Sequence, residues 1–205
     1  MKVATMLVRN NIPLALSDEL TPLFYDIFPD SEIAKRFSSR RTKTACMING
    51  AIAPHYKASL IDIMKNGPFS VSTDGSSDTG VEKMNPMTVR IFDVNRGCVA
   101  TQFLDMCMSS RSTAEALFNT MDEVLKTHSL SWKNCVGIGL DNTSVNMGCR
   151  NSIKTRLLKE NDAAYVMGCP CHIIHNTAGK AGEAFHRVTG FSVDDMLVDI
   201  FYWFD

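Results

Sequence analysis

Two acidic residues, Asp74 and Asp141, are candidates for metal chemistry because each directly follows a short strand-like segment. Residues 69–73 alternate apolar and polar side chains, which places one face in a core and the other toward solvent. The segment before Asp141 alternates in the same way, and Gly137 and Gly139 leave open space on its polar face. Two carboxylates brought together in this way repel each other unless a cation lies between them or one takes up a proton. Mg²⁺ or Mn²⁺ is the expected cation because both prefer oxygen ligands.

The composition indicates one globular domain with an appendage. The chain has 205 residues, of which 45% are hydrophobic and 21% are charged, and its net charge is -1. We find no apolar run of the ~18 residues needed to cross a membrane, and the first residues do not resemble a secretory signal. Seven cysteines, mostly scattered singly, suggest free thiols in a reducing compartment. We therefore expect a nuclear or cytoplasmic protein that is neither secreted nor membrane-bound.

The charge is unevenly distributed. Residues 1–66 carry nine Lys and Arg against six Asp and Glu, whereas the rest carries twelve against sixteen. Five of the nine basic residues form a cluster, hereafter the basic cluster: Lys35, Arg36, Arg40, Arg41 and Lys43. Such a cluster can contact the phosphates of a nucleic acid. The alternative is a solvated helix end without a partner.

The sequence divides at a helix-breaking Asn-Gly-Pro at residues 66–68. Residues 1–66 have helical spacing, including a long helix over residues 42–65 that Pro54 should kink or split. Residues 67–205 predict three antiparallel strands, a helix opened by Ser112, the strand before Asp141, a helix over residues 144–159, a fifth strand and two final helices.

That order of elements is the order of the ribonuclease H-like fold, an α/β mixed sheet with flanking helices. Three blocks also resemble hAT-superfamily transposases, in particular their domesticated relatives in animal genomes: residues 69–78 (Phe-Ser-Val-Ser-Thr-Asp-Gly-Ser-Ser-Asp), residues 140–148 (Leu-Asp-Asn-Thr-Ser-Val-Asn-Met-Gly) and residues 169–172 (Cys-Pro-Cys-His). We therefore expect a helical segment over residues 1–66, and over residues 67–205 a ribonuclease H-like core that is incomplete at its C-terminus.

The resemblance implies a two-metal DNA transposase in which two Asp and one Glu hold the ions. Asp74 and Asp141 correspond to the first two ligands, whereas the family's Glu follows a long helical insertion that could not be completed before this sequence ends. Glu183 lies where some ribonuclease H-like enzymes place their last carboxylate, although this is not the family's position. Two aspartates alone would hold one Mg²⁺ weakly, so we expect little or no catalysis.

Cys169 and His172 have the spacing of a zinc ligand pair, with His175 one helical turn further along. A closed zinc site normally has two such pairs, and Cys149 is the only outside donor that the sequence offers. In the hAT-superfamily transposases that the sequence resembles, this block supports the active site. The sequence therefore favours a structural role for Cys169 and His172 over zinc binding.

The predicted function is that of a catalytically incomplete, transposase-derived protein that binds nucleic acid or protein. The first alternative is an active metal-dependent nuclease whose third carboxylate comes from Glu183 or from a partner chain. The second is an interaction module that forms homo-oligomers or binds a protein through its strongly apolar C-terminal helix, which Ser192 caps and which reaches Asp205.

Overall fold

A computed structural model describes residues 1–77, 83–94 and 96–204. Asp78, which ends the first of the three sequence blocks, lies outside the described residues. The chain forms two compact units, residues 1–63 and residues 64–205. The boundary predicted from sequence falls between residues 66 and 67.

The first unit is helical. Its helices are α1 (Lys2–Arg9), α2 (Ser17–Ile27), α3 (Glu32–Arg36), α4 (Arg41–Met47) and the first part of α5 (Ala53–Asn66). A π-helical turn, Ile48–Ile52, separates α4 from α5 and directly precedes Ala53 and Pro54. Since proline cannot donate a backbone hydrogen bond and its ring crowds the preceding turn, the wider turn accommodates it. The helix predicted over residues 42–65 is therefore interrupted just before Pro54.

The second unit is built on a mixed sheet. Its strands are β1 (Phe69–Thr73), β2 (Ser76–Ser77), β3 (Lys83–Asp93), β4 (Cys98–Ser109), β5 (Cys135–Leu140) and β6 (Tyr165–Gly168). β3 pairs antiparallel with β1 and β4, whereas β5 pairs in parallel with β1 and β6. Because β4 pairs along the whole of β3, the short β2 shares the other edge of β3 with β1. The predicted α/β fold with a mixed sheet is confirmed.

The helices of this unit are α6 (Ala114–Thr127), α7 (Ser144–Met147), α8 (Ile153–Glu160), α9 (Pro170–Thr189) and α10 (Val193–Phe204). α6 and α8 cover one face of the sheet and form the core with it. The fully or almost fully buried core residues include Phe69, Val71, Met87, Val89, Ile91, Ile138, Leu140, Met121, Leu125 and Leu157. On the opposite face Phe92, Phe103 and Tyr165 are each more than half exposed.

Two local predictions are wrong. The helix expected over residues 144–159 is two helices, because Ser152 caps α8 in a reciprocal arrangement with Thr155 and donates to the Gly148 carbonyl at 2.6 Å. These side-chain bonds compete with the backbone bonds of a continuous helix. At the start of α6 the cap is Thr113, whose Oγ1 accepts from the Ala116 N–H at 3.3 Å, and not Ser112.

Candidate functional site

The parallel pairing of β1 with β5 brings the two strand-end aspartates to the same edge of the sheet. Ser72 lies opposite Gly139 in the register, so Asp74 and Asp141 both follow the paired ends of neighbouring strands. Both residues line one cleft of about 160 Å³, hereafter the aspartate cleft, together with Ser72, Thr73, Gly139, Leu140, Met167, Cys169, Pro170 and His172. The structure therefore places Asp74 and Asp141 together, and their roles as metal ligands stay a prediction.

The two glycines of β5 have different environments. Gly139 lines the aspartate cleft, and a Cβ there would make an ordinary contact, 3.5 Å from the Ser72 Oγ. Gly137 is buried, and a Cβ there would lie 3.0 Å from the Tyr165 carbonyl oxygen of β6. The expectation that both glycines clear space beside Asp141 is therefore wrong for Gly137, which allows β5 and β6 to pack closely.

Asp141 is fixed by the residues that follow it. Its Oδ1 accepts from the Thr143 backbone N–H at 2.8 Å and from the Asn146 Nδ2 at 2.7 Å. Partial burial acts to raise the pKa of Asp141, but hydrogen bonds from Thr143 and Asn146 and the nearby His172 outweigh it and lower the pKa. Asp141 is therefore held as a carboxylate with a defined orientation. The bonds of Thr143 and Asn146 to Asp141 were not predicted from the sequence, although an Asp that bonds the backbone two residues later is a common turn pattern.

The Cys-Pro-Cys-His block begins α9 at the wall of the aspartate cleft. Cys169 is the N-cap residue and Pro170 is the first helical residue. The Cys169 N–H donates to the Leu140 carbonyl at 2.7 Å, and the Asn142 Nδ2 donates to the Cys169 carbonyl at 2.8 Å. These two bonds attach the start of α9 to the end of β5, directly beside Asp141.

Within this block the thiol of Cys169 and the imidazole of His172 influence each other. The Cys169 side chain raises the pKa of His172, and Asp74 and Asp141 act in the same direction. Conversely, His172 lowers the pKa of Cys169. The Nδ1 atom of His172 is buried without a well-aligned hydrogen-bond partner in the described part of the chain. Hydrogen bonding between the two side chains is the main cause of both pKa changes, and their charges add to it.

The remaining donors that the sequence offers for a metal ion are not gathered at the cleft. Among the described residues, no group of three or more His, Cys, Asp and Glu side chains is placed to hold a metal ion. Cys149 and His175 are exposed, as is Glu183. Glu183 follows His172 by eleven residues on α9, which corresponds to about 16 Å along the helix axis. The structure therefore does not bring Glu183 to Asp74 and Asp141.

The basic cluster is exposed on the first unit, but two of its members already form ion pairs. Lys35 contacts Glu32 at 3.0 Å, and Arg41 contacts Asp18 at 3.0 Å. The Arg41 backbone N–H also donates to Asp18 and is the main cause of its lowered pKa. These pairs reduce the positive charge that the cluster offers to a ligand.

Two other members of the basic cluster line a shallow groove of about 460 Å³ on the first unit. Arg36 and Lys43 lie there together with Lys2, which the sequence analysis did not single out. Lys2 is more than thirty residues from the cluster in sequence, so only the fold brings the three cations together. We call this surface the basic groove.

A family model for the ZMYM1/FAM200 RNase-like domain (DUF4371) matches residues 33–151, which is more than half of the chain. The chain belongs to this family. The ZMYM1/FAM200 RNase-like domain is found in transposase-derived proteins. The match includes Asp74, Asp141 and the basic cluster, and it ends before Cys169. A search of curated proteins finds no match to the chain.

In residues 1–77, 83–94 and 96–204, no helix is both long and apolar enough to cross a membrane.

Proposed function

We propose that this protein is a hAT-type, transposase-derived domain that binds nucleic acid and has lost efficient phosphodiester cleavage. The observation that carries the proposal is the aspartate cleft. Two carboxylates share it at the ends of parallel strands, as in a two-metal nuclease, but the described residues supply no third carboxylate.

The residues at the cleft are suited to a hard divalent cation, although an incomplete set of ligands binds it weakly. The Oδ1 atom of Asp141 is engaged by Thr143 and Asn146, and Asp141 stays ionised because its pKa is lowered. Asp74 is exposed at the same cleft. Mg²⁺ or Mn²⁺ held by these two carboxylates would act as a Lewis acid toward a phosphate oxygen.

The basic groove supports the binding part of the proposal. Lys2, Arg36 and Lys43 are exposed cations on one surface, and the described residues give none of these side chains an ion-pair partner. Exposed lysines and arginines of this kind release counterions from nucleic acid when they contact phosphates, which makes binding strongly dependent on salt.

The binding test uses the full chain and a fluorescently labelled DNA duplex, with anisotropy measured over a range of salt concentrations. We expect the double variant Arg36→Glu, Lys43→Glu to lower the affinity by at least about tenfold and to reduce the salt slope by about two. The matched control is Lys133→Glu, Lys180→Glu, which makes the same charge change at exposed positions outside the groove. If the two double variants lose the same amount of DNA affinity, the net charge of the protein, and not the basic groove, determines binding.

The cleavage test incubates the same protein and DNA with Mn²⁺ or Mg²⁺. We expect no more cleavage by the wild type than by Asp74→Ala or Asp141→Ala. Cleavage by the wild type that both substitutions abolish would support the alternative of an active nuclease. The third carboxylate would then have to come from a partner chain or from residues outside those described, because Glu183 lies too far along α9.

A further inference from the structure

A second cavity, hereafter the inner pocket, lies on the core side of the strand ends. It has a volume of about 150 Å³, and Thr73 and Asp141 line both it and the aspartate cleft. Its polar wall includes Asn85 of β3 and Asn146 of α7. Its apolar wall includes Leu117 and Met121 of α6 and Ile153 of α8. The pocket therefore combines an apolar surface with hydrogen-bonding groups next to the candidate functional site.

Two polar atoms at the inner pocket make no hydrogen bond to any residue that the structure describes. Asn85 is only 8% exposed, and its Nδ2 makes no hydrogen bond with the residues that the structure describes. The Oγ1 atom of Thr73, also buried, has no partner either within that part of the chain. Buried polar groups of folded proteins are nearly always hydrogen-bonded. We therefore expect a molecule that enters the inner pocket to complete these bonds.

Gly75 leaves the space that the Asn85 amide occupies. A Cβ at Gly75 would collide with the Asn85 Oδ1, so any other residue would force this side chain to move. Gly75 also lines the inner pocket. The glycine after Asp74 therefore permits the orientation in which Asn85 meets the pocket.

The size and the walls of the inner pocket indicate the class of ligand. About 150 Å³ accommodates roughly five waters at ~30 Å³ each, or one heteroaromatic ring system. A flat ring can place its face against Leu117 and Met121 while its polar edge meets Asn85 and Thr73. Asparagine amides pair with the edges of nucleobases, and pockets for unstacked bases combine such pairing with apolar contacts.

We propose that the inner pocket binds a single unstacked nucleobase of a nucleic acid whose backbone passes the aspartate cleft. The proposal rests on the nucleic-acid binding proposed above and specifies which part of the ligand enters the protein. The Asn85 Nδ2 would donate to an acceptor on the base edge, and the Thr73 hydroxyl would donate or accept beside it.

The test compares two labelled DNA duplexes that differ at one central extrahelical nucleotide, which carries adenine in one duplex and an abasic analogue in the other. We expect the full-length wild type to bind the adenine duplex on the order of tenfold more tightly, since contacts to one base carry that much affinity. Asn85→Asp, which replaces the donor with an acceptor, and Leu117→Trp, which fills the pocket, should each bring the ratio of affinities to about one. The control Thr101→Val, at an exposed position on β4, should keep the wild-type ratio.

A second measurement does not depend on the folding of the variants. With 5-iodouracil at the extrahelical position, photo-crosslinks mapped by mass spectrometry should fall on peptides that contain Asn85 or Met121. Equal wild-type affinity for the two duplexes, or crosslinks only to other peptides, would overturn the pocket proposal and leave the DNA-binding proposal intact. Absence of binding to either duplex and to plain DNA would overturn both proposals.

Discussion

At the scale of single residues, the sequence predicted the pairing of Asp74 with Asp141 because local alternation identifies strand ends and parallel strands end at the same edge. It did not predict the ion pair of Arg41 with Asp18, since the two residues lie 23 positions apart and meet only through the fold. For the same reason, the contribution of Lys2 to the basic groove had no sequence signal.

The cysteines illustrate how position determines reactivity. Cys169 lies at the N-terminus of α9 beside His172, and its pKa is lowered mainly by that histidine. Cys107 and Cys135 are buried, and burial raises the pKa of each to about 11. A lowered pKa means that the thiolate of Cys169 is populated at a lower pH than for an ordinary thiol.

We therefore predict that iodoacetamide at pH 7 modifies Cys169 several-fold faster in the wild type than in His172→Ala, because only the thiolate reacts. Cys107 and Cys135 should react only after unfolding. Peptide mass spectrometry at timed intervals measures all the rates in one sample, and Cys46, which is exposed, serves as an internal reference. An unchanged Cys169 rate in His172→Ala would contradict the interpretation.

At the scale of elements, strands and long helices were predicted better than the junctions between them. β1 and β5 follow directly from alternation, whereas the break between α7 and α8 depends on the competing bonds of Ser152. The need for glycine is likewise not predictable from the sequence. Gly137 lies in a strand and Gly179 in a helix, and the sequence does not show at which of the two positions a side chain would collide with its surroundings. The structure distinguishes them by the space around each Cα.

We predict opposite effects of alanine at these two glycines. Gly137→Ala should destabilise the second unit by about 1–3 kcal/mol, because its Cβ would lie 3.0 Å from the Tyr165 carbonyl and push β6 from β5. Gly179→Ala should stabilise α9 by about 1 kcal/mol, because its Cβ meets nothing within 4 Å and alanine favours helix.

Urea unfolding followed by circular dichroism measures the effect of Gly137→Ala, and amide hydrogen exchange along α9 measures that of Gly179→Ala. Gly182→Ala is the matched control for α9, since it also has open space and should behave like Gly179→Ala. A Gly137→Ala protein as stable as the wild type would mean that β6 contributes little to the sheet.

At the scale of the whole molecule, the order of strands and helices sufficed to predict the fold class, but not which surfaces stay uncovered. α10 has no buried residue, and Phe201, Tyr202, Trp203 and Phe204 are between 64% and 85% exposed. Exposed apolar surface of this extent is typical of a protein–protein interface. It supports the proposal that α10 binds a protein partner or a second copy of the chain.

We predict that the full chain self-associates with increasing concentration and that Phe201→Asp shifts it toward monomer, because a charge in an apolar interface must be desolvated. Sedimentation velocity over a range of protein concentrations measures the shift. Asn176→Asp, an equal charge change at an exposed polar position of α9, should associate like the wild type. Equal behaviour of wild type and Phe201→Asp would exclude α10 as the self-association surface.

The segment that matches the family model begins and ends at other residues than the compact units do, and this difference matters for recombinant expression. A fragment of residues 33–151 would lack α1, which packs against the turn Ile48–Ile52, and would also lack β6, the parallel neighbour of β5. β5 would then become an open edge, and such edges promote aggregation. Expression trials that begin with α1 and continue past β6 should therefore give soluble material more readily than trials trimmed to the family match.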